Sequence, residues 1–224
     1  MSHKLAIVAV TFVLQISPLW AAAAQGENRF DPVRLVSVAE TMYPVDTAAS
    51  GTVILQVTVE KMGRIGNIQV VRGIPKLTAE AERSVRRWKF APARLNGHQV
   101  AAPVVVAFTF SLSLPWSSGV APVKPRAKAL TSFEPIKITS TSEANNPVPD
   151  IALAAVTLQV SVDPTGSLGK IEVIDGITPL AAEAERSVRQ WKCLPARFEG
   201  SALTSSMVTT FLFSDVPLGR CSRF

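Results

Sequence analysis

The amino-acid sequence predicts an α+β protein made of two tandem small modules, each a helix packed on a short antiparallel sheet. Residues 53–97 align without a gap with residues 156–200, and about 26 of those 45 positions are identical, which indicates two copies of one module. Each copy shows the order strand, strand, helix, strand. With 47% hydrophobic and 18% charged residues, the chain has enough apolar material for packed cores, which excludes wholesale disorder.

The repeat sets the expected domain boundaries. We expect module 1 at residues 30–110 and module 2, a degenerate copy, at residues 133–213, followed by a C-terminal tail at 214–224. Residues 111–132 contain several prolines, lysines and an arginine, so they are predicted to form an extended, semi-rigid linker.

The first 24 residues decide the compartment. Met1–Lys4 carries a positive charge, an apolar run follows, and Ala21–Ala24 supplies small residues for a cleavage site, so residues 1–24 resemble a secretory signal peptide. The uncharged stretch from Leu5 to Gly26 is also long enough to remain as an inner-membrane anchor. In either case the rest of the chain is expected outside the cytoplasm, in the periplasm.

Two strands and a turn open each module. Val53–Val59 alternates apolar and polar residues, which is typical of a half-buried strand. In the second copy Asp163–Gly166 has the residues that a type I turn prefers, so a hairpin is predicted, with a returning strand at Ile65–Val71.

A helix follows the hairpin. We expect it to begin after Pro75 in module 1, and in module 2 with Thr178 as its cap, and to be ended by a proline, Pro92 or Pro195. Its apolar residues fall on one stripe that ends in a tryptophan: Leu77, Ala81, Val85 and Trp88.

The last strand of module 1, Val104–Leu112, has no charge and no internal proline. We expect it at an edge of the sheet, and proteins normally protect such edges with charges, bulges or cover. An unprotected edge strand either pairs with its own kind or accepts a partner's extended peptide by strand addition, and the sequence leaves both alternatives open.

The sequence contains no constellation typical of an enzyme, and no cofactor is predicted. Two cysteines and two histidines are too few for a Cys/His metal cluster, so no metal site is expected. His98 lies in a turn-like segment without an adjacent nucleophile. The net charge of +6 is modest, and we expect no nucleic-acid partner.

Two further features have open interpretations. The helix of module 1 and the segment after it carry a basic cluster, which is either a solvated face or a site for an anionic partner such as cell-wall polymer: Arg83, Arg86, Arg87, Lys89 and Arg94. In an oxidising compartment Cys193 and Cys221 form either a disulfide or two free thiols.

Several short motifs occur in module 1 in a fixed order: Tyr43-Pro44, the strand entry Gly51–Val53, the hairpin glycine Gly63, the element Trp88-Lys89-Phe90-x-Pro92, and a last strand reaching Phe110. In this combination module 1 resembles the TonB C-terminal domain. The resemblance extends to module 2, which has Asn146-Pro147 in place of Tyr-Pro and Cys193 in place of the phenylalanine.

The resemblance implies a periplasmic domain that captures a short peptide of an outer-membrane TonB-dependent transporter. In that family the peptide adds alongside the last strand, near the segment preceding Tyr-Pro. Carried over, this predicts the following partner-binding residues: Thr41, Met42, Tyr43, Val104, Val105, Val106, Ala107, Phe108, Thr109 and Phe110.

Three hypotheses follow. The first is a non-enzymatic, exported TonB-like protein that binds extended peptides by β-strand addition in TonB-dependent outer-membrane transport. The second is a structural or adaptor protein of the envelope that self-associates, or binds cell wall through its basic helix faces. The third, an energy transducer, requires that residues 5–26 stay uncleaved as an anchor.

Overall fold

The computed structural model describes residues 29–44, 47, 49–112, 132–148 and 153–214. The predicted signal segment, most of the linker and the C-terminal tail, including Cys221, lie outside these residues. Within the described ranges, neither helix is long and apolar enough to cross a membrane.

The described residues form sixteen strands and two helices, joined by turns and loops. The first half contains β1 (Phe30–Asp31), β2 (Arg34–Ser37), β3 (Gly51–Val59), β4 (Ile65–Arg72), α1 (Leu77–Arg86), β5 (Lys89–Ala91), β6 (Ala93–Leu95), β7 (His98–Val100) and β8 (Ala102–Leu112). The second half contains β9 (Phe133–Glu134), β10 (Lys137–Ser140), β11 (Ala154–Val162), β12 (Leu168–Asp175), α2 (Thr178–Val188), β13 (Lys192–Leu194), β14 (Ala196–Phe198), β15 (Ser201–Leu203) and β16 (Ser205–Ser214). The two helices and the mostly antiparallel sheets confirm the predicted α+β class.

The long strands of both halves form one six-stranded sheet in the order β12-β11-β16-β8-β3-β4. Neighbours within each half are antiparallel, whereas β8 and β16, the last strands of the two halves, pair in parallel at the centre. The expectation that the last strand lies at a sheet edge is therefore wrong. Of the two alternatives for this strand, the structure shows pairing with its own kind.

The predicted hairpins are present. Gly166 N donates a hydrogen bond to Asp163 O at 3.0 Å and closes the turn of the second hairpin. Gly166 has φ +89°, and a Cβ there would lie 2.5 Å from Cys193 O, so both the backbone conformation and the close approach of β13 require glycine.

The helix boundaries differ from two expectations. Thr178 is already helical and Ile177 occupies the N-cap position, without a side-chain cap bond, so Thr178 is not the cap. The helices end at Arg86 and Val188, well before the prolines. In α1 the last turn closes when Arg87 N and Trp88 N donate to Ser84 O and Val85 O.

Two apolar cores lie on opposite faces of the six-stranded sheet, because neighbouring residues of each strand alternate between them. The first core contains residues of α1, β3 and β8: Val53, Leu55, Val57, Val59, Leu77, Ala81, Val85, Trp88, Val104, Val106, Phe108 and Phe110. The second core contains residues of α2, β11 and β16: Val156, Leu158, Val160, Val162, Leu180, Ala184, Val188, Trp191, Met207, Phe211 and Phe213.

Each core also takes in residues of the other half. Val208 and Leu212 of β16 belong to the first core, and Ile54 and Val105 belong to the second. The halves are therefore joined by shared apolar packing as well as by the β8–β16 ladder.

Candidate peptide-binding edges

The predicted partner-binding strand lies in the interior of the sheet. Every residue from Val104 to Phe110 is at most 2% exposed. Strand β8 pairs with β3 from Ala102 to Phe110 on one side and with β16 from Val105 to Leu112 on the other. Its backbone groups therefore already have partners along both edges.

Tyr43 belongs to the first core. Its ring meets Phe110 edge-on, with ring centroids 5.4 Å apart, and its hydroxyl donates a hydrogen bond to Ala49 O. Burial raises the pKa of Tyr43 above its ordinary value. Thr41 is also buried, whereas Met42 is 56% exposed, so Met42 is the accessible member of the predicted partner-binding set.

The two outer edges of the sheet are formed by β4 and β12. Among the described strands, β4 pairs with β3 alone and β12 with β11 alone, so each has an edge to which another strand can add. These are the edges relevant to strand addition in this arrangement. They differ from the strand predicted from the sequence, because β4 and β12 are the second strands of the two hairpins and not the last strands of the modules.

The two edges differ in charge. From Gly66 to Val71, β4 carries no charged residue. At the equivalent places β12 has Lys170 and Glu172, whose side chains form an ion pair at 3.1 Å. Charged side chains on an edge strand oppose the addition of another strand, so β12 is protected and β4 is not. The sequence contained this signal, because Asn67 and Gln69 align with Lys170 and Glu172.

The basic cluster of module 1 is partly engaged within the protein. The guanidinium of Arg83 bonds to Glu80, and Arg87 Nη2 donates to Glu40 O at 2.6 Å. Arg86, Lys89 and Arg94 are exposed. The structure does not bring the five side chains to one common target.

The remaining sequence candidates are isolated. His98 lies exposed in β7, and the described residues contain no group of His, Cys, Asp or Glu that could hold a metal ion. Cys193 is a free, half-buried thiol, and burial raises its pKa to about 11. Its proposed disulfide partner Cys221 lies outside the described residues.

The fold and its edges define a class of protein: two copies of one α+β module, joined through their last strands, in which β4, an outer strand of the shared sheet, carries no charge from Gly66 to Val71. A family model of the Gram-negative bacterial TonB protein C-terminal region matches residues 45–112 and 154–214. The chain therefore belongs to the TonB C-terminal family and carries the domain twice. This membership associates it with envelope proteins of TonB-linked transport. No curated protein and no solved structure matches the chain.

Proposed function

We propose that this chain is an exported, periplasmic, non-enzymatic protein that captures an extended peptide of an outer-membrane transporter by β-strand addition. The observation that carries the proposal is the outer side of β4, which pairs with β3 alone among the described strands and carries no charged residue from Gly66 to Val71. Family membership supplies the context of TonB-dependent transport.

The β4 edge is favoured over β8 because a peptide reaches it without displacing another strand of the described residues. Addition along Val104–Phe110, beside Thr41–Tyr43, first requires that β16 leaves β8. That step exposes Val208 and Leu212, which are at most 1% exposed, and loses their hydrophobic stabilisation. Addition to β4 forms new backbone hydrogen bonds and breaks none between the described strands.

A charge transplant tests the proposal. The double variant Asn67→Lys, Gln69→Glu gives β4 the counterpart of the Lys170–Glu172 pair of β12. We expect it to weaken binding of peptides copied from transporter N-termini by about tenfold or more, because the added strand must approach fixed charges. Amide-shift NMR titration measures the affinity and locates the peptide.

The matched control is the reciprocal double variant Lys170→Asn, Glu172→Gln. It removes the Lys170–Glu172 ion pair of β12 and leaves β4 intact, so binding at β4 is expected to be unchanged. Saturable shifts along β8 and β16 rather than β4 would place the peptide at the central pair instead. If neither half shows saturable shifts, peptide capture is overturned. That result would favour the structural or adaptor role of an envelope protein whose two halves pair with each other.

A further inference from the structure

A cavity of about 430 Å³ lies where the sheet of the first half faces the small strands of the second half. Its walls are largely apolar: Ile54, Val71, Val105, Ile136, Ile138 and Leu194. Lys137, Arg197 and Glu134 also line it, and all three are exposed. The volume and the mixture of apolar walls with few polar groups are those of a small ligand site.

The symmetry-equivalent place in the other half shows what this geometry binds. There the side-chain amide of Gln159 forms two hydrogen bonds with the backbone at the start of β2. Its Oε1 accepts from Leu35 N at 3.0 Å, and its Nε2 donates to Val33 O, just before the strand, at 3.4 Å. Ser206 Oγ donates a second bond to Val33 O at 2.6 Å. An extended apolar segment is thus held on the sheet by one glutamine and one serine.

Gln56 is the repeat counterpart of Gln159 and lines the cavity, where it is only 4% exposed. Within the described part of the chain, its amide makes neither of the two contacts that Gln159 makes. The counterpart of Ser206 is Pro103, which has no hydroxyl to donate. Strand β10, the equivalent of β2, therefore lacks the glutamine and serine hydrogen bonds that hold β2, although Ile136 and Ile138 pack in one core with Ile54 and Val105, and the cavity lies beside them.

The Gln56 side chain lines the cavity and none of the hydrogen bonds between described residues involves its amide, so a ligand that supplies a donor and an acceptor gains affinity here. The carbonyl and the amide of residues two apart in an extended peptide supply both, as Val33 and Leu35 do for Gln159. The lining has two cations, Lys137 and Arg197, and one carboxylate, Glu134. This excess of positive charge favours a peptide with an acidic residue next to its apolar segment.

We propose that the cavity binds a short, extended, apolar peptide segment with an acidic flanking residue, and that Gln56 recognises its backbone. The site shares Val71 with β4 but neither Asn67 nor Gln69, the two residues that the charge transplant changes, so it is tested separately from the strand-addition function.

The test is a titration of the purified full-length protein with two synthetic heptapeptides. One copies residues 31–37, which contain β2, and the other copies them with Arg34→Glu. We expect saturable NMR shifts of the Gln56 side-chain amide and of the methyl groups of Ile54 and Ile136, with tighter binding of the Glu peptide. Pro103→Ser, which restores the missing hydroxyl, is expected to fasten β10 and weaken binding at least fivefold.

Gln56→Leu keeps the volume and removes the amide, so we expect it to abolish the shifts, whereas Gln159→Leu leaves the cavity able to bind. Either of two results would overturn the proposal. One is binding that Gln56→Leu leaves unchanged. The other is a cavity that takes a fatty acid such as laurate and neither peptide.

Discussion

Met207 lies directly beside Val105 in the parallel pair at the centre of the sheet, although its counterpart in the repeat is Val104. Neighbours in a parallel pair face the same side of the sheet, so the shift by one residue turns the second module over relative to the first. For this reason α1 and α2 contribute to cores on opposite faces. The same shift makes Val208 the neighbour of Val106 and brings it into the first core.

The shared cores predict one cooperative unfolding transition for both modules. Leu180 is fully buried in the second core, so Leu180→Ala is expected to cost about 2–5 kcal/mol of unfolding free energy. Because β8 and β16 join the halves, we expect hydrogen-exchange protection to fall in β3 as much as in β11. Met62→Ala, at a side chain that is 81% exposed, is the neutral control. Unchanged protection in β3 would mean that the modules unfold independently.

Tyr43→Phe is expected to lower stability by about 1 kcal/mol, because it keeps the ring on Phe110 and removes the hydrogen bond to Ala49 O. Burial raises the folded-state pKa of Tyr43. The stability that neutral Tyr43 contributes is therefore complete below the unfolded tyrosine pKa of about 10 and is lost as the pH rises above that value. Tyr43 is the one tyrosine of the chain, so ultraviolet absorbance of phenolate reports on it alone. Ionisation at the ordinary pKa, before unfolding, would contradict its burial.

Cys193 is expected to react slowly with alkylating reagents near neutral pH. The thiolate is the reactive form, and burial raises the pKa of this thiol to about 11. Labelling followed by mass spectrometry, in a Cys221→Ser background, should show rates that still increase above the ordinary cysteine pKa of about 8.5. Denatured protein serves as the control and should label quickly. Equally fast labelling of native protein would show that the thiol is accessible.

Asp163 is expected to titrate below the ordinary pKa of an aspartate. Its Oδ1 accepts hydrogen bonds from Thr165 Oγ1 at 2.6 Å, from Ser167 N at 2.9 Å and from Thr165 N at 2.8 Å, and these bonds lower its pKa. The stability that ionised Asp163 contributes is therefore present above the unfolded pKa of about 3.9 and is lost as the pH falls through its folded-state pKa. Carboxyl NMR titration measures this directly. Asp163→Asn should make unfolding less sensitive to acid, and an unaltered acid profile would argue against the turn's role.

The repeat, the hairpins and the helices could be predicted from the sequence because each depends on local patterns. The order of strands in the sheet could not, because an uncharged strand suits a sheet centre as well as an unprotected edge. One signal favours the centre: in Val104–Phe110 the residues on both faces are apolar or small, which is typical of a strand covered on both sides. Ile54 carries the same signal in β3, where it reaches the second core.

The candidate site was harder to predict than the fold. Gln56 and Gln159 are identical residues in identical positions of the repeat, yet one clasps a strand and the other lines a cavity. The two places also differ in a neighbouring residue, because Ser206 donates to Val33 O and its counterpart is Pro103. Which half packs against which cannot be read from the sequence before the register of β8 and β16 is known.

The pairing of β8 with β16 within one polypeptide also bears on how such a protein can evolve. In a homodimer every substitution appears in both subunits, so a charge that blocks strand addition at one edge also blocks it at the equivalent edge of the other subunit. Fusion of the two copies removes that constraint and makes their association independent of dilution. One copy is then free to lose its recognition surface and to cover the other permanently. The Lys170–Glu172 pair of β12 at one outer edge of the sheet, and the absence of charge from Gly66 to Val71 of β4 at the other, are the outcome expected of such a division of roles.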